Sequence, residues 1–158
     1  MNIRYFQADD TEQVVELFKK IIGNLSHYND LAKRHEIDRY SNENLIEKIN
    51  DDPKSIIVAE HDKEIVGVCF NRFDDYTIWL EWILIKPTSR KQKIGTELIK
   101  FLEYSSVERK CHKIWCDCRI SNTISKNFLQ SVGFQIIATI ENHWYQQDFL
   151  LLQKHIHV

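Results

Sequence analysis

Hydrophobic residues along this chain alternate between the spacing of strands and the spacing of helices. Apolar residues at every second position, or in short runs, predict seven strands, at Ile3 to Phe6, Ile56 to Ala59, Ile65 to Phe70, Thr77 to Ile85, Lys113 to Arg119, Gln135 to Ile140 and Asp148 to Lys154. Residues recurring every three or four positions predict four helices between them, carrying Val14 and Phe18, Leu45 and Ile49, Leu98 and Phe101, and Ile124 and Phe128. This order predicts an α/β fold, a mixed sheet with helices on both faces.

Polar residues at the expected places mark the helix ends. Asp9 or Asp10 is a candidate cap for the first helix, which Gly23-Asn24 ends. The polar stretch that follows predicts a loop as far as Ser41, the cap of the second helix. Ser121 or Asn122 caps the last helix, and Gly133 stands where a left-handed C-cap is expected.

Length and composition limit the class of protein. A chain of 158 residues with 43% hydrophobic content is expected to form one domain, residues 1–158, with a sizeable core. The formal net charge of -2 gives no general electrostatic attraction for nucleic acids or anionic membranes. No apolar run approaches the roughly 20 residues of a membrane span, and no signal peptide is apparent. The sequence therefore predicts a soluble, cytoplasmic protein.

The four cysteines lack the spacing of a secreted disulfide scaffold. Cys111-His112 followed by Cys116 and Cys118 raises the alternative of a metal site. Cys116 and Cys118 lie two apart in a predicted strand, however, and so share one face of the sheet rather than a ligand turn. The favoured interpretation is that the thiols are small buried hydrophobic groups and that no metal is bound.

A basic turn after the fourth strand carries the strongest chemical signal. Residues 90–96, Arg-Lys-Gln-Lys-Ile-Gly-Thr, join that strand to the start of a helix. Backbone N–H groups and the positive end of the helix dipole meet at such a point, and the basic side chains add full charges. The segment predicts a phosphate site, with a solvated basic turn as the alternative.

Two motifs in this order resemble the GNAT superfamily of acetyl-CoA-dependent N-acetyltransferases. They are Ile83-Leu84-Ile85-Lys86-Pro87 leading into Arg90-x-x-Lys93-x-Gly95-Thr96, and Asn122-x-x-Ser125-x-x-Phe128-Leu129-x-x-x-Gly133-Phe134. The resemblance covers essentially the whole chain. It implies a mostly antiparallel, twisted sheet of about seven strands, splayed between the fourth and fifth. It also implies a transferase that acetylates a primary amine of a small molecule or peptide, and it allows a homodimer.

The resemblance assigns a set of residues to coenzyme A. The backbone amides of the turn would hold the pyrophosphate, and these belong to Lys91, Gln92, Lys93, Ile94, Gly95 and Thr96, with Arg90 opening the motif. The backbone of Ile83 and Ile85 would bond to pantetheine. Asn122, Ser125 and Phe128 are expected to line the same slot.

Two residues depart from the family pattern. Lys93 stands where Gly is usual, and Gly suits a close backbone approach to phosphate and a positive φ. We expect a somewhat reshaped turn that keeps the amide and adds a charge. Leu129 stands where many members carry the Tyr that protonates the leaving thiolate. The thiolate would then leave as such, be protonated by water, or take a proton from Tyr145.

Amine acetylation also needs a general base that takes a proton from the amine. It needs, in addition, an acceptor pocket, the pocket that holds the amine substrate. Glu81, in the apolar run Trp79-Leu80-Glu81-Trp82-Ile83, is the candidate general base, with an ion pair at the sheet surface as the alternative. Aromatic faces hold amines and cations well. The candidates for the acceptor pocket are His27, Tyr28, Trp79, His143 and Trp144.

Three functions remain open from the sequence. The first is the amine acetyltransferase. The second, suggested by Lys93 and Leu129, is a CoA-binding protein with little or no transferase activity. The third is an α/β domain that binds another ligand and no CoA.

Overall fold

A computed structural model describes residues 1–157 of the chain. Within these residues, one sheet of seven strands has the order β1-β2-β3-β4-β5-β7-β6. The strands are β1 (Asn2–Tyr5), β2 (Ile56–His61), β3 (Glu64–Asp74), β4 (Thr77–Ile85), β5 (Lys113–Arg119), β6 (Gln135–Ile140) and β7 (Phe149–His155). The pairs β1–β2, β2–β3, β5–β7 and β6–β7 are antiparallel, whereas β4 and β5 are parallel. The predicted mixed, mostly antiparallel sheet is confirmed.

Five helices are present in the described part of the chain, one more than the hydrophobic pattern predicts. They are α1 (Thr11–Gly23), α2 (Asp30–Arg39), α3 (Asn42–Asp51), α4 (Ile94–Glu108) and α5 (Thr123–Ser131). The unpredicted helix is α2, which lies in the stretch interpreted as a loop before Ser41. Only Ala32 of this helix is buried, so no apolar stripe marks it in the sequence. It begins where the Asn29 side chain accepts a hydrogen bond from the Ala32 N–H at 2.8 Å.

The predicted end of α1 at Gly23-Asn24 and the predicted caps of the second and last helices are confirmed, whereas Asp10 occupies the N-cap position of α1 without a side-chain capping hydrogen bond. Ser41 caps α3 by accepting from the Asn44 N–H, and Asn122 caps α5 by accepting from the Ser125 N–H. Gly133 follows α5 with φ 94, in the left-handed region that a C-cap requires. Capping residues were therefore better guides to the helix boundaries than the apolar pattern alone.

The chain forms two compact units. The first consists of residues 1–71 and 82–102, and the second of residues 72–81 and 103–158. In the first unit, the apolar face of α1 packs in a core with residues of β2 and β3, including Phe18, Ile22, Val58, Val68 and Phe70. A single domain spanning residues 1–158 stays a prediction.

A charged pair fixes the start of α1 in the first unit. Arg4 of β1 donates to both carboxylate oxygens of Asp10, at 2.7 and 2.8 Å. Burial raises the pKa of Asp10, but the hydrogen bonds from Arg4 and from the Gln7 N–H outweigh burial and hold that pKa below its ordinary value. The pair therefore stabilises the fold at pH values above the ordinary pKa of an aspartate side chain. Its contribution is lost as the pH falls through the lowered pKa of Asp10.

In the second unit, β5 separates an apolar face from a polar and aromatic one. Cys116 and Cys118 are buried on the apolar face, opposite Leu152 and Leu150 of β7. All four cysteines lie within residues 1–157, form no disulfide and are buried, which confirms their interpretation as buried thiols. No helix in residues 1–157 is long and apolar enough to cross a membrane.

The pairing of β4 with β5 is short. It joins Thr77, Ile78 and Trp79 to Lys113, Ile114 and Trp115. These paired residues all belong to the second unit.

Candidate functional site

The turn that enters α4, in the first unit, has six consecutive backbone amides without an acceptor among the described residues. None of the N–H groups of residues 91–96 donates a hydrogen bond within residues 1–157. The next amide, that of Glu97, donates to the Lys93 carbonyl at 3.1 Å. Unsatisfied N–H groups at a helix start form a site for an anion, because they add to the positive end of the helix dipole.

The backbone of this turn is held in an unusual conformation. Lys91 has φ 64 and Lys93 has φ 63, both in the left-handed region. This region costs a non-glycine residue about 1–2 kcal/mol. Lys93 thus adopts the backbone conformation for which Gly is favoured, while its exposed side chain adds a charge. Strain of this kind is concentrated at functional sites, which supports a ligand-binding role for the turn.

A glycine on β3 lets α4 lie close to the sheet. A Cβ atom added to Gly67 would lie 2.9 Å from Ile85 Cδ1, 3.1 Å from Ile94 Cγ2 and 3.2 Å from Leu98 Cδ1. These contacts connect the strand before the turn to the helix after it. The absence of a side chain at position 67 therefore helps to set where the six amides lie.

This contact gives a prediction about Gly67→Ala. The added methyl group should push the first turn of α4 outward and destabilise the protein by about 1–3 kcal/mol through overpacking. The affinity for acetyl-CoA should fall in the same variant. Thermal unfolding and calorimetric titration measure the two effects. Gly23→Ala is the matched control, because a Cβ at Gly23 meets nothing within 4 Å. Equal affinity of Gly67→Ala and Gly23→Ala would contradict this role of Gly67.

The other residues assigned to coenzyme A in the first unit flank the turn. Ile83 and Ile85 share one face of β4, and both are half-buried. Leu84, which lies between them in the sequence, is buried. The exposed Arg90 directs its Nε atom to the Ile85 carbonyl at 3.4 Å. Arg90 is thereby drawn back to the end of β4, beside the amides that follow it.

Two acceptor-pocket candidates of the first unit belong to an aromatic cluster. The ring centroids of His27 and Tyr28 are 5.4 Å apart, and those of Tyr28 and Trp82 are 5.8 Å apart. The Trp82 indole donates to Glu36 Oε2 at 3.3 Å. The structure thus adds Trp82 and a carboxylate from α2 to the predicted pair.

In the second unit, Asn122 and Ser125 interact directly. The Asn122 side chain accepts the Ser125 N–H at 3.1 Å, so its carbonyl oxygen is engaged as a helix cap. Phe128 is half-buried, and Leu129 is buried at the end of the same helix. An alkyl side chain in that position offers no proton to any reacting group.

The polar and aromatic face of β5 gathers most of the other candidates. Trp79 packs edge to face against Trp115, with centroids 4.8 Å apart. His143 and Trp144 lie in the β6–β7 loop, with centroids 4.5 Å apart. The two loop residues approach a carboxylate of β5 that sequence reasoning missed, Asp117.

Asp117 is half-buried and its carboxylate has two neighbours from the loop. The Trp144 Nε1–H donates to Asp117 Oδ2 at 3.0 Å, and His143 Nε2 lies 3.9 Å from the same oxygen. Burial raises the pKa of Asp117. The hydrogen bond from Trp144 and the charges of His143 and Arg119 act in the opposite direction but do not cancel the effect of burial. A signal for it was present, since Asp117 is the one charged residue in the run Ile114 to Cys118, as Glu81 is in its own apolar run.

The two catalytic candidates also lie in the second unit. Glu81 is half-buried on β4, next to the buried Leu80. Tyr145 has φ 54 in the β6–β7 loop, and its ring lies 5.9 Å from the guanidinium carbon of the buried Arg119. Arg119 also donates to Gln147, so β5 is attached to this loop at more than one point. The catalytic roles of Glu81 and Tyr145 stay predictions.

Residues 1–157 contain no group of three or more His, Cys, Asp or Glu side chains arranged to hold a metal ion. The Cys116 and Cys118 thiols are buried on the apolar face of β5, and burial raises the pKa of Cys118 to about 11.

Comparisons with known proteins agree with this architecture. Residues 22–134 match the sequence model of the acetyltransferase (GNAT) family. An acetyltransferase from Sodalis glossinidius is 32% identical over 156 residues, covering 99% of this chain and 96% of the relative. One from Pectobacterium atrosepticum is 29% identical over 140 residues, covering 89% and 92%. The structure of the PaiA N-acetyltransferase from Thermoplasma acidophilum in complex with coenzyme A superposes with a TM-score of 0.81 at 18% identity, covering 98% of each chain. The chain belongs to the acetyltransferase (GNAT) family.

Proposed function

We propose that this protein transfers an acetyl group from acetyl-CoA to a primary amine of a small molecule or peptide. The observation that supports this most strongly is the row of six amides at residues 91–96 without an acceptor in the described chain. A diphosphate can use several such donors at once, and it suits the positive end of a helix. The coenzyme A in the Thermoplasma acidophilum relative also supports the proposal.

The residues of the turn fit the diphosphate of coenzyme A. Lys91 and Lys93 are exposed and add two positive charges, with that of Arg90 beside them. Left-handed residues such as Lys91 and Lys93 are also a feature of the backbone nests that bind anions. When bound, acetyl-CoA supplies an activated thioester, and the chain supplies its orientation.

Glu81 is the proposed general base. The attacking amine must be uncharged, and a carboxylate on β4 can take its proton directly or through water. Direct attack of the amine on the thioester needs no covalent intermediate on the protein. The buried thiols would be poor nucleophiles, since burial raises the pKa of both Cys111 and Cys118.

A CoA-binding protein with little or no transferase activity is the second candidate. The observation that favours it is Leu129, which is buried and has no proton to give to a leaving thiolate. If the protein is an acetyltransferase, the leaving thiolate takes its proton from water or Tyr145, or it leaves unprotonated.

A transfer assay separates the two candidates. Purified protein with acetyl-CoA should release coenzyme A in the presence of at least one class of amine among polyamines, aminoglycosides, amino acids and N-terminal peptides. Mass spectrometry should then find the acetylated amine. Tight binding of acetyl-CoA without release above the uncatalysed rate for any of these classes would favour the second candidate.

A further inference from the structure

A carboxylate and an indole meet on the polar face of β5 in the second unit. Asp117 lies near the centre of β5, paired with Leu151 of β7. Trp144 comes from the β6–β7 loop and donates its N–H to Asp117 Oδ2 at 3.0 Å. The two side chains thus form a contact across 27 residues of sequence, which anchors the loop to the strand.

The contact with Trp144 does not fully offset the free-energy cost of burying the Asp117 carboxylate. The side chain of Asp117 is 18% exposed, so it has lost most of its water. Among residues 1–157, Trp144 supplies the one side-chain hydrogen bond that this carboxylate accepts. A half-buried carboxylate with a single neutral donor is costly, and burial accordingly raises the pKa of Asp117.

The nearby basic groups do not remove this cost. Arg119 lies on the same face of β5, but its guanidinium carbon is 5.1 Å from the centroid of the Phe149 ring, and its Nε donates to Gln147. His143 Nε2 is 3.9 Å from Asp117 Oδ2, and it carries a positive charge only when it is protonated. A further cation beside Asp117 would therefore be stabilised by the carboxylate.

An aromatic surface stands next to this carboxylate. The side chain of Trp144 remains 55% exposed even though its N–H is bound, and His143 packs beside it. The face of an indole attracts a cation through its quadrupole. A carboxylate flanked by an exposed indole suits an ammonium group better than it suits a neutral ligand.

We propose that Asp117 and Trp144 bind a cationic group of the acceptor substrate. The inference rests on the proposed amine acetylation and narrows its substrate class. An ammonium paired with a carboxylate holds its proton more tightly, because an opposite charge favours the charged form. The nitrogen bound at Asp117 is then not the nucleophile. The acceptor therefore carries a second charged nitrogen in addition to the amine that is acetylated, as diamines and basic peptides do.

A dication that cannot be acetylated tests this inference without a turnover assay. Tetramethylputrescine has two tertiary amines, so it binds as a dication and forms no stable amide. Calorimetric titration of the whole protein should detect this probe and should not detect uncharged dimethoxybutane. Asp117→Asn should weaken binding of the probe by about 10- to 100-fold, the range expected for a lost hydrogen bond to a charged group.

Matched variants separate the site from general charge and folding effects. Asp75→Asn removes a charge from an exposed turn of the same unit, at φ 46 where Asn is tolerated, and should bind the probe as the wild type does. Asp117→Asn should unfold at an equal or higher temperature at neutral pH, since it removes a carboxylate whose pKa is raised by folding. Trp144→Phe keeps a ring but loses the N–H, and should weaken the probe several-fold even if Asp117→Asn fails to fold.

The possible failures are distinguishable. Equal affinity of the probe for wild type and Asp117→Asn would overturn the inference. So would a wild type that binds acetyl-CoA but not tetramethylputrescine, and this result would leave the proposed acetyl transfer standing. An Asp117→Asn enzyme with an unchanged KM for a diamine and a reduced kcat would also overturn it, because that pattern belongs to a proton acceptor. Failure of the wild type to bind acetyl-CoA would instead remove the proposed function.

Discussion

Replacing Glu81 with glutamine should lower the turnover of amine acetylation by about 10²- to 10⁴-fold, the contribution typical of a general base. Glutamine keeps the size and shape of the half-buried side chain on β4 but cannot take the proton of the attacking amine. The affinity for acetyl-CoA should stay the same, because the amides that would hold the diphosphate belong to residues 91–96. Steady-state kinetics gives the turnover, and calorimetric titration gives the affinity.

The dependence on pH makes this test more specific. In the wild type, kcat/KM should fall on the acid side as the essential base becomes protonated, and this limb should be lost in Glu81→Gln. Glu12→Gln, an exposed glutamate on α1, is the control for removal of a charge. Wild-type turnover in Glu81→Gln would eliminate the role. A reduced turnover with the acid limb intact would assign the limb to another titrating group, such as the substrate amine itself or Asp117.

Replacing Gly95 with valine should weaken acetyl-CoA by about 10- to 100-fold, the loss expected when one or more hydrogen bonds to a charged phosphate are disrupted. Gly95 is the second residue of α4, and its N–H is among the six that lack an acceptor in the described chain. A branched side chain there would stand between the amides and the phosphate oxygens. Calorimetric titration of acetyl-CoA measures the loss.

A graded series controls for effects on folding. Gly95→Ala should lose less affinity than Gly95→Val, although alanine favours the helix more than either glycine or valine. An ordering that follows side-chain size rather than helix stability would support the proposed site. If Gly95→Val bound acetyl-CoA as tightly as the wild type, the diphosphate would have to lie elsewhere.

Local chemistry made much of the fold predictable. Ser41, Asn122 and Gly133 fixed helix ends because each acts on its own neighbouring backbone groups. The helix α2 escaped prediction for the opposite reason. With a single buried residue, Ala32, it has no apolar stripe, and its existence depends on an Asn cap and on packing against α1.

The candidate site was predictable only in part. The basic turn could be found because its residues are contiguous, and the positive φ at Lys93 matches the glycine that the family pattern has there. Asp117 was missed because its meaning depends on Trp144, which is distant in sequence and adjacent in space. Trp82 was not among the candidates for the acceptor pocket, yet it contacts Tyr28 and Glu36. Long-range pairs of this kind become visible only when the strands and loops are assembled.

We propose that the amides of residues 91–96 bind the diphosphate of acetyl-CoA. The NMR resonances of these amides report on that binding most directly. A titration of ¹⁵N-labelled protein with acetyl-CoA, followed by two-dimensional NMR, observes each of the six N–H groups separately. These six resonances should move downfield together as hydrogen bonds to phosphate form, and free coenzyme A should produce the same shifts. Saturation with acetyl-CoA that shifts other resonances and leaves those of residues 91–96 in place would contradict the account.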